Sequence, residues 1–179
     1  LPGARALVRH LSENRLPFCL FTNNSSSSRQ SYVEKLRRMG LELQENQILT
    51  SAYATMLWLS QKGIRSLFLM AVPEVEEEFR SSGFILDDAS PEAVVLAFDK
   101  TLTYQKLCRA HQLLQDPSRV YVATHPDLVC PMPAGSIPDT GAMIALLQAS
   151  TSRLPDVIGK PNRLMVSMAE RLLDCTSDR

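Results

Sequence analysis

In the stretch Phe18-Cys-Leu-Phe-Thr-Asn-Asn-Ser-Ser-Ser-Ser-Arg29, a short apolar run stops at Thr22, two Asn follow, and four Ser lead to an Arg. Beyond it Tyr32, Val33, Leu36 and Met39 recur at helical spacing, with Gly40 just past them. The pattern predicts a buried strand, a polar loop at its carboxyl end, then a helix. In open α/β sheets ligands sit outside the carboxyl ends of strands. A helix N-terminus adds free N–H groups and a partial positive charge, both suited to phosphate. The loop carries hydroxyls and amides with almost no charge, as an anion held by hydrogen bonds would need. The same composition also serves a helix cap and a turn, so on its own the stretch leaves both readings open.

On the amino-terminal side, Ala4, Leu7, Val8 and Leu11 fall on one face of a helix expected over 4–14, which leads through Pro17 into a strand over 18–22. On the other side a helix of about 28–39 is followed by Thr50-Ser51, which caps a helix carrying Ala54, Leu57 and Trp58 and ending at Gly63. From Arg65 a second series begins. Ser66–Ala71 reads as a buried strand, and Pro73 is placed for the first turn of a helix with Val75 and Phe79 inside. Glu74, Glu76, Glu77 and Glu78 crowd that first turn, where negative charge is favourable. Strands at 93–98 and 120–123 flank a helix at 103–115. A Pro-rich loop from Thr124 to Pro138 precedes a helix opened by Thr140-Gly141, and a short strand at 156–158 leads into a last helix at 162–173.

Strand and helix alternate throughout, and the strands are continuous apolar runs, as in parallel sheets covered on both faces. The class is α/β. Near Gly63 and near Ser152–Pro155 the pattern looks like one α/β unit inserted into another, although pattern alone also permits one continuous sheet.

Composition narrows the function. The 179 residues are 45% apolar and 21% charged with zero formal net charge, so no basic surplus points to nucleic acid or an anionic membrane. No apolar run reaches transmembrane length, and the first residues lack a signal-peptide layout. Cys19, Cys108, Cys130 and Cys175 are scattered without a CxxC pair, the usage of reduced thiols, and the expected location is the cytoplasm. His10, His111 and His125 are too far apart in sequence to form a metal motif. No G-x-G-x-x-G and no P-loop occurs, which disfavours a nucleotide-binding module.

A second landmark is Lys160, after a strand and between Gly159 and Pro161. A Lys at a strand end facing a phosphate loop acts as a point charge on phosphoryl oxygens; a solvated loop Lys is the plainer reading. Asp99 and Asp127 also stand at or just beyond strand ends, where Asp holds ligands or caps a turn. His125, in Thr-His-Pro-Asp, has no Ser or Cys placed near it by sequence.

The pieces become specific together. Phe-Thr-Asn-Asn-Ser at 21–25, Phe-Asp at 98–99 with Leu-Thr-Tyr at 102–104, Ala-Thr-His-Pro-Asp at 123–127, Thr-Gly-Ala at 140–142 and Val-Ile-Gly-Lys-Pro at 157–161 follow in order. Their order and spacing resemble the haloacid dehalogenase superfamily, in its NagD-like, 4-nitrophenylphosphatase-like branch, over essentially the whole chain. That branch includes phosphoglycolate and pyridoxal phosphate phosphatases. The resemblance implies a Rossmann-like core with a large inserted α/β cap: core over 1–63, cap over 64–153, and core again over 154–179. It implies that Thr22 holds the phosphoryl group, Asn23 adds a backbone N–H, Asn24 shapes the loop, and Lys160 steadies the charge on the transferring oxygens. Substrate selection would fall to the cap loop from His125 to Gly135, with Asp127 and Cys130 as candidates; His125 stands where an Asn is usual.

The resemblance also implies an Asp-x-Asp-Gly nucleophile motif and a late Gly-Asp segment, between them holding Mg²⁺. Neither occurs in these residues, and Asp174 and Asp178 lack the context. The expectation is an incomplete core: a Mg²⁺-dependent phosphatase of small phosphorylated substrates, truncated at both ends and inactive by itself. With its central strand missing, it would also be poorly stable alone or rescued by an oligomer. A homodimer through the cap stays open. The alternative is a non-catalytic relative that binds a phosphorylated ligand or a protein partner through its cap.

Overall fold

The computed structural model describes residues 2–175; Asp178 lies outside them. The quoted stretch forms β1 (Leu20–Thr22), the Ser-rich loop, and α2 (Arg29–Arg38), preceded by α1 (Ala4–Glu13). Ser28 caps α2 by accepting the Ser31 N–H at 3.2 Å. A strand absent from the sequence-based reading, β2 (Ile48–Thr50), pairs parallel to β1 with Leu20 opposite Ile48 and Thr22 opposite Thr50. Three residues are too few to show a strand period. Thr50 then caps α3 (Ser51–Gln61), accepting from the Tyr53 N–H as expected.

The main sheet has five parallel strands. In chain order β3 (Ser66–Met70), α4 (Pro73–Ser81), β4 (Ile85–Leu86), β5 (Ala93–Leu96), α5 (Tyr104–Leu114) and β6 (Val120–Ala123) come first. The hairpin β7 (Val129–Met132) and β8 (Gly135–Pro138) follows, then α6 (Thr140–Thr151), β9 (Asp156–Val157) and α7 (Arg163–Leu172). The spatial order is β4-β3-β5-β6-β9. β9 therefore hydrogen-bonds into the same sheet as β3 and β5, through Val122–Asp156 and Ala123–Val157.

Alternation of side chains along each strand divides the core in two. Leu67, Leu69, Val95 and Val122 face Met56 and Leu59 of α3, Val75 and Phe79 of α4, and Met165 and Met168 of α7. Phe68, Met70, Val94, Leu96 and Tyr121 face Leu113 and Leu114 of α5 and Leu147 of α6. Each fully buried Leu or Phe contributes about 1.5–3 kcal/mol of transfer free energy, so both faces are covered by genuine cores. By contrast α1 buries none of its residues, and Leu7 on its apolar face is 59% exposed.

The acidic first turn of α4 has a definite task. Glu74 accepts the Ser28 N–H at 2.6 Å, and Glu78 accepts the N–H and Nε–H of Arg29, each at 3.2 Å. Burial opposes the charge on Glu74, but its bonds to Ser31 and Ser28 prevail and hold the carboxyl below its ordinary value. Arg29 also stacks on Tyr53, 3.6 Å from the ring centroid. The acidic run thereby ties the Ser-rich loop to the main sheet's helices.

The segment 124–138, read from sequence as a Pro-rich loop, contains a β-hairpin with Val129 opposite Pro138 and Met132 opposite Gly135. Pro131, Pro133 and Pro138 hide it, because Pro removes ladder donors and breaks a strand pattern.

Candidate active site

Three carboxyl ends converge: that of β1 with the Ser-rich loop, that of β6 with Thr124–Asp127, and that of β9 with Gly159-Lys160. Asn23 is the knot. Its Oδ1 accepts the Lys160 N–H at 2.8 Å, and its Nδ2 donates to the Lys160 carbonyl at 3.0 Å and to Asp127 Oδ2 at 3.1 Å. Its own carbonyl accepts the Ser51 hydroxyl at 2.5 Å, which joins the loop to α3. A side-chain amide has one acceptor and one donor end, and Asn23 spends both on neighbouring loops.

Below the knot Ser25 is fully buried. Its Oγ accepts the Phe98 N–H at 2.8 Å and lies 2.9 Å from Thr124 Oγ1. Asn24 shapes the turn, its Oδ1 accepting the Ser26 N–H at 2.8 Å and the Ser26 hydroxyl at 3.0 Å. Thr22 Oγ1 accepts the Asn24 N–H at 3.2 Å. Burial pushes the Tyr32 phenol up, while the Thr22 hydroxyl beside it works the other way.

The approach of the loops depends on Gly159. A Cβ there would run into the Thr124 carbonyl oxygen and would lie 2.9 Å from both Asn23 Oδ1 and His125 Cβ. Gly141 has the same duty at the start of α6, where a Cβ would meet the Pro126 carbonyl oxygen.

His125 is fully buried. Thr140 Oγ1 donates to Asp139 Oδ1 at 3.2 Å and lies 3.1 Å from His125 Nε2. The other ring nitrogen, Nδ1, lies 3.3 Å from Asp127 Oδ2 without a well-formed hydrogen bond. Burial pulls the His125 pKa down, with the Asp139 and Asp127 carboxylates opposing.

The structure thus brings together Thr22, Asn23, Asn24, His125, Asp127 and the backbone of Lys160. The Lys160 ammonium lies over Phe21, 5.2 Å from the ring centroid. Cys130 is set apart on β7, where its Sγ lies 3.8 Å from the Pro131 carbonyl oxygen. Asp99 is occupied elsewhere, accepting from Lys106 Nζ at 2.6 Å and from the Thr101 N–H at 2.8 Å. Sequence reasoning did not single out Ser25, Ser51 or Tyr32. Ser25 closes the Phe-Thr-Asn-Asn-Ser motif at 21–25, but its sequence context assigned it no role of its own.

A loop of amides and hydroxyls beside an ammonium suits a tetrahedral anion. Among the described residues no three His, Cys, Asp or Glu side chains converge. Asp127, the carboxylate bonded into the knot, is already held by Asn23. Among the same residues no helix is long and apolar enough to cross a membrane.

A family model described as haloacid dehalogenase-like hydrolase matches residues 1–85. A dihydroxyacetone phosphatase of Corynebacterium glutamicum is 32% identical over 179 residues, 99% of this chain, which spans 65% of that relative's own length. The crystal structure of a 4-nitrophenylphosphatase from Thermotoga maritima superposes with a TM-score of 0.89 at 42% identity, covering 96% of this chain and 66% of that one. A p-nitrophenyl phosphatase from Archaeoglobus fulgidus gives 0.90 at 31% identity, covering 98% and 68%.

Proposed function

This chain belongs to the haloacid dehalogenase-like hydrolase family, and we propose that it is the phosphate-holding and substrate-selecting part of a phosphatase acting on small phosphate monoesters. The observation that carries this reading is the Asn23 clamp, which sets the backbone of Lys160 beside the amides and hydroxyls of the Thr22–Ser25 loop.

Phosphoryl transfer is mostly positioning and electrostatic stabilisation. In this proposal Thr22 and the Asn23 N–H hold the phosphoryl oxygens, with Asn24 fixing the turn behind them. Lys160 supplies the cation, swinging from Phe21 toward the equatorial oxygens as charge spreads over them. Asp127 and His125 hold the selecting loop at the edge of the site, with Cys130 on the hairpin beyond. The relatives' names put dihydroxyacetone phosphate and 4-nitrophenyl phosphate within the expected substrate class. No Asp-x-Asp-Gly motif occurs in these residues, and in this proposal the 179-residue chain by itself turns over no substrate. A Mg²⁺ ion, which the resemblance implies, finds no ligand set among the described residues.

The domain division belongs to the same proposal: core over 1–63 and 154–179, cap over 64–153, with β9 joined to the cap's sheet. Four unpaired Cys support a cytoplasmic location. The hairpin, which exposes Leu128, Val129 and Met132, supports a homodimer through the cap.

The test is an assay of this chain with 4-nitrophenyl phosphate and Mg²⁺ beside its Lys160→Ala form, together with inorganic phosphate binding followed by ³¹P NMR. The expected result is no turnover by either, and phosphate binding that Lys160→Ala weakens about tenfold or more. Turnover that requires Lys160 would place a nucleophile inside these residues and overturn the proposed split. Equal phosphate binding by both forms would remove the site itself.

A further inference from the structure

His125 stands between two carboxylates that come from different elements. Its Nδ1 lies 3.3 Å from Oδ2 of Asp127, in the same loop, and its Nε2 lies 3.5 Å from Oδ1 of Asp139, the cap of α6. The ring and Asp139 are buried, whereas the Asp127 side chain is 45% exposed. Asp139 Oδ1 has other donors, the Thr140 N–H at 2.6 Å and the Thr140 hydroxyl at 3.2 Å. Nδ1 has no hydrogen-bond partner among the described residues. A neutral imidazole carries one ring proton and an imidazolium two. With one, the ring can donate toward only one of its flanking carboxylates; with two, it serves both.

Asp127 carries this charge balance to the loops of the candidate active site. Its Oδ2, the oxygen that faces the ring, also accepts from Asn23 Nδ2 at 3.1 Å, and Asn23 Oδ1 accepts the Lys160 N–H at 2.8 Å. The Asp127 carboxylate is thus one hydrogen bond removed from the Thr22–Ser25 loop, where its charge opposes an incoming anion. A charged ring at 3.3 Å offsets that opposition. Few other charges stand around the ring. The start of α6 brings Asp139, and the Ser-rich loop brings only amides and hydroxyls. The β9–α7 loop brings Lys160, whose ammonium lies over Phe21. Burial outweighs the pull of Asp139 and Asp127 and keeps the ring below its ordinary value, so near neutral pH the free chain holds it uncharged.

We propose that His125 is a positioning residue that couples anion binding at the Asn23–Lys160 loops to proton uptake: the site holds a dianion more tightly with His125 protonated, because the imidazolium neutralises Asp127 beside it. The coupling rests on the anion site proposed above and makes its ligand acid-favoured. Linkage is reciprocal, so a bound anion also draws a proton onto the ring.

Inorganic sulfate tests the coupling, since it stays a dianion throughout the range in which a His titrates and inorganic phosphate does not. Calorimetric titration of the chain from about pH 8 down to about pH 5 should show sulfate affinity rising about threefold or more. Saturating sulfate should raise the midpoint of the His125 ring titration, followed by NMR, by about half a pH unit or more; His10→Gln and His111→Gln assign the ring. In His125→Gln the rise in affinity is lost, while Lys160→Ala weakens sulfate at every pH and keeps the rise. The NMR midpoint is read on chains that keep His125, so a His125→Gln form that fails to fold leaves the test in force. Three results would overturn the coupling and leave the anion site standing: affinity that does not change with pH, an equal rise in folded His125→Gln, or a midpoint that sulfate leaves in place or lowers. No sulfate binding at any pH would remove the site itself, and the coupling with it.

Discussion

Asn23 grips Lys160 by both of its backbone polar groups, accepting its N–H at 2.8 Å and donating to its carbonyl at 3.0 Å, although 137 residues separate them. Asn23 therefore ties the Thr22–Ser25 loop to the backbone from which the Lys160 side chain extends. Asn23→Ala removes this clamp and the bond to Asp127. The expected cost is about 1–2 kcal/mol of stability, a fall in Tm of about 2–8 °C, with inorganic phosphate binding weakened about tenfold by loss of preorganisation. Calorimetry and phosphate titration check it, and unchanged phosphate affinity in a folded variant would refute the clamp's role.

His125 gives the fold a dependence on pH. Burial, against the opposing Asp139 and Asp127 carboxylates, holds its folded pKa below the ordinary 6.5. As pH falls through that ordinary value the unfolded chain takes up a proton that the folded chain refuses. Stability is therefore lost from about pH 6.5 downward until the folded pKa is reached, at a slope of up to about 1.4 kcal/mol per pH unit. Urea midpoints at a series of pH values should show this loss, and His125→Gln should flatten it. Titration of the His125 ring above its ordinary value by NMR would contradict the expected direction.

Gly159→Ala should be damaging at the site. The added methyl meets two backbone-anchored neighbours, the Thr124 carbonyl oxygen and, at 2.9 Å, His125 Cβ, and neither can swing away. Overpacking of this kind costs about 1–3 kcal/mol, and here the upper end is expected. Thermal melts check it; a Tm within about a degree of the parent would show that the loops part freely.

Ser25→Ala leaves the Phe98 N–H buried without an acceptor and Thr124 without its partner. An orphaned buried donor costs about 1–3 kcal/mol. Crowding plays no part, since the substitution only removes an atom. Ser26→Ala, which removes one hydroxyl bonded to Asn24, should cost less than half as much. Equal losses in the two variants, read from urea midpoints, would mean that burial at Ser25 does not set the energetics of the loop.

Much of the fold was legible because its signals are local. The runs Ser66–Met70, Ala93–Leu96 and Val120–Ala123 are long enough to declare strands, and the cap at Thr50 marks the start of α3. What escaped was short or disguised: β2 has three residues, and the β7–β8 hairpin carries three Pro. The acidic run of α4 was read as favourable first-turn charge, and the structure adds its bonds to Ser28 and Arg29.

The sequence by itself determined the α/β class, the loop chemistry at Thr22–Asn24 and the Lys at 160, because each depends on residue type and spacing within a few positions. Only the tertiary structure decided that Asn23, Asp127 and Lys160 form one hydrogen-bonded knot and that β9 joins the sheet of β3, β5 and β6. Those facts depend on which distant segments come within about 3 Å of one another. Register, burial and a bare Gly159 settle that distance, and no local pattern in the chain records it.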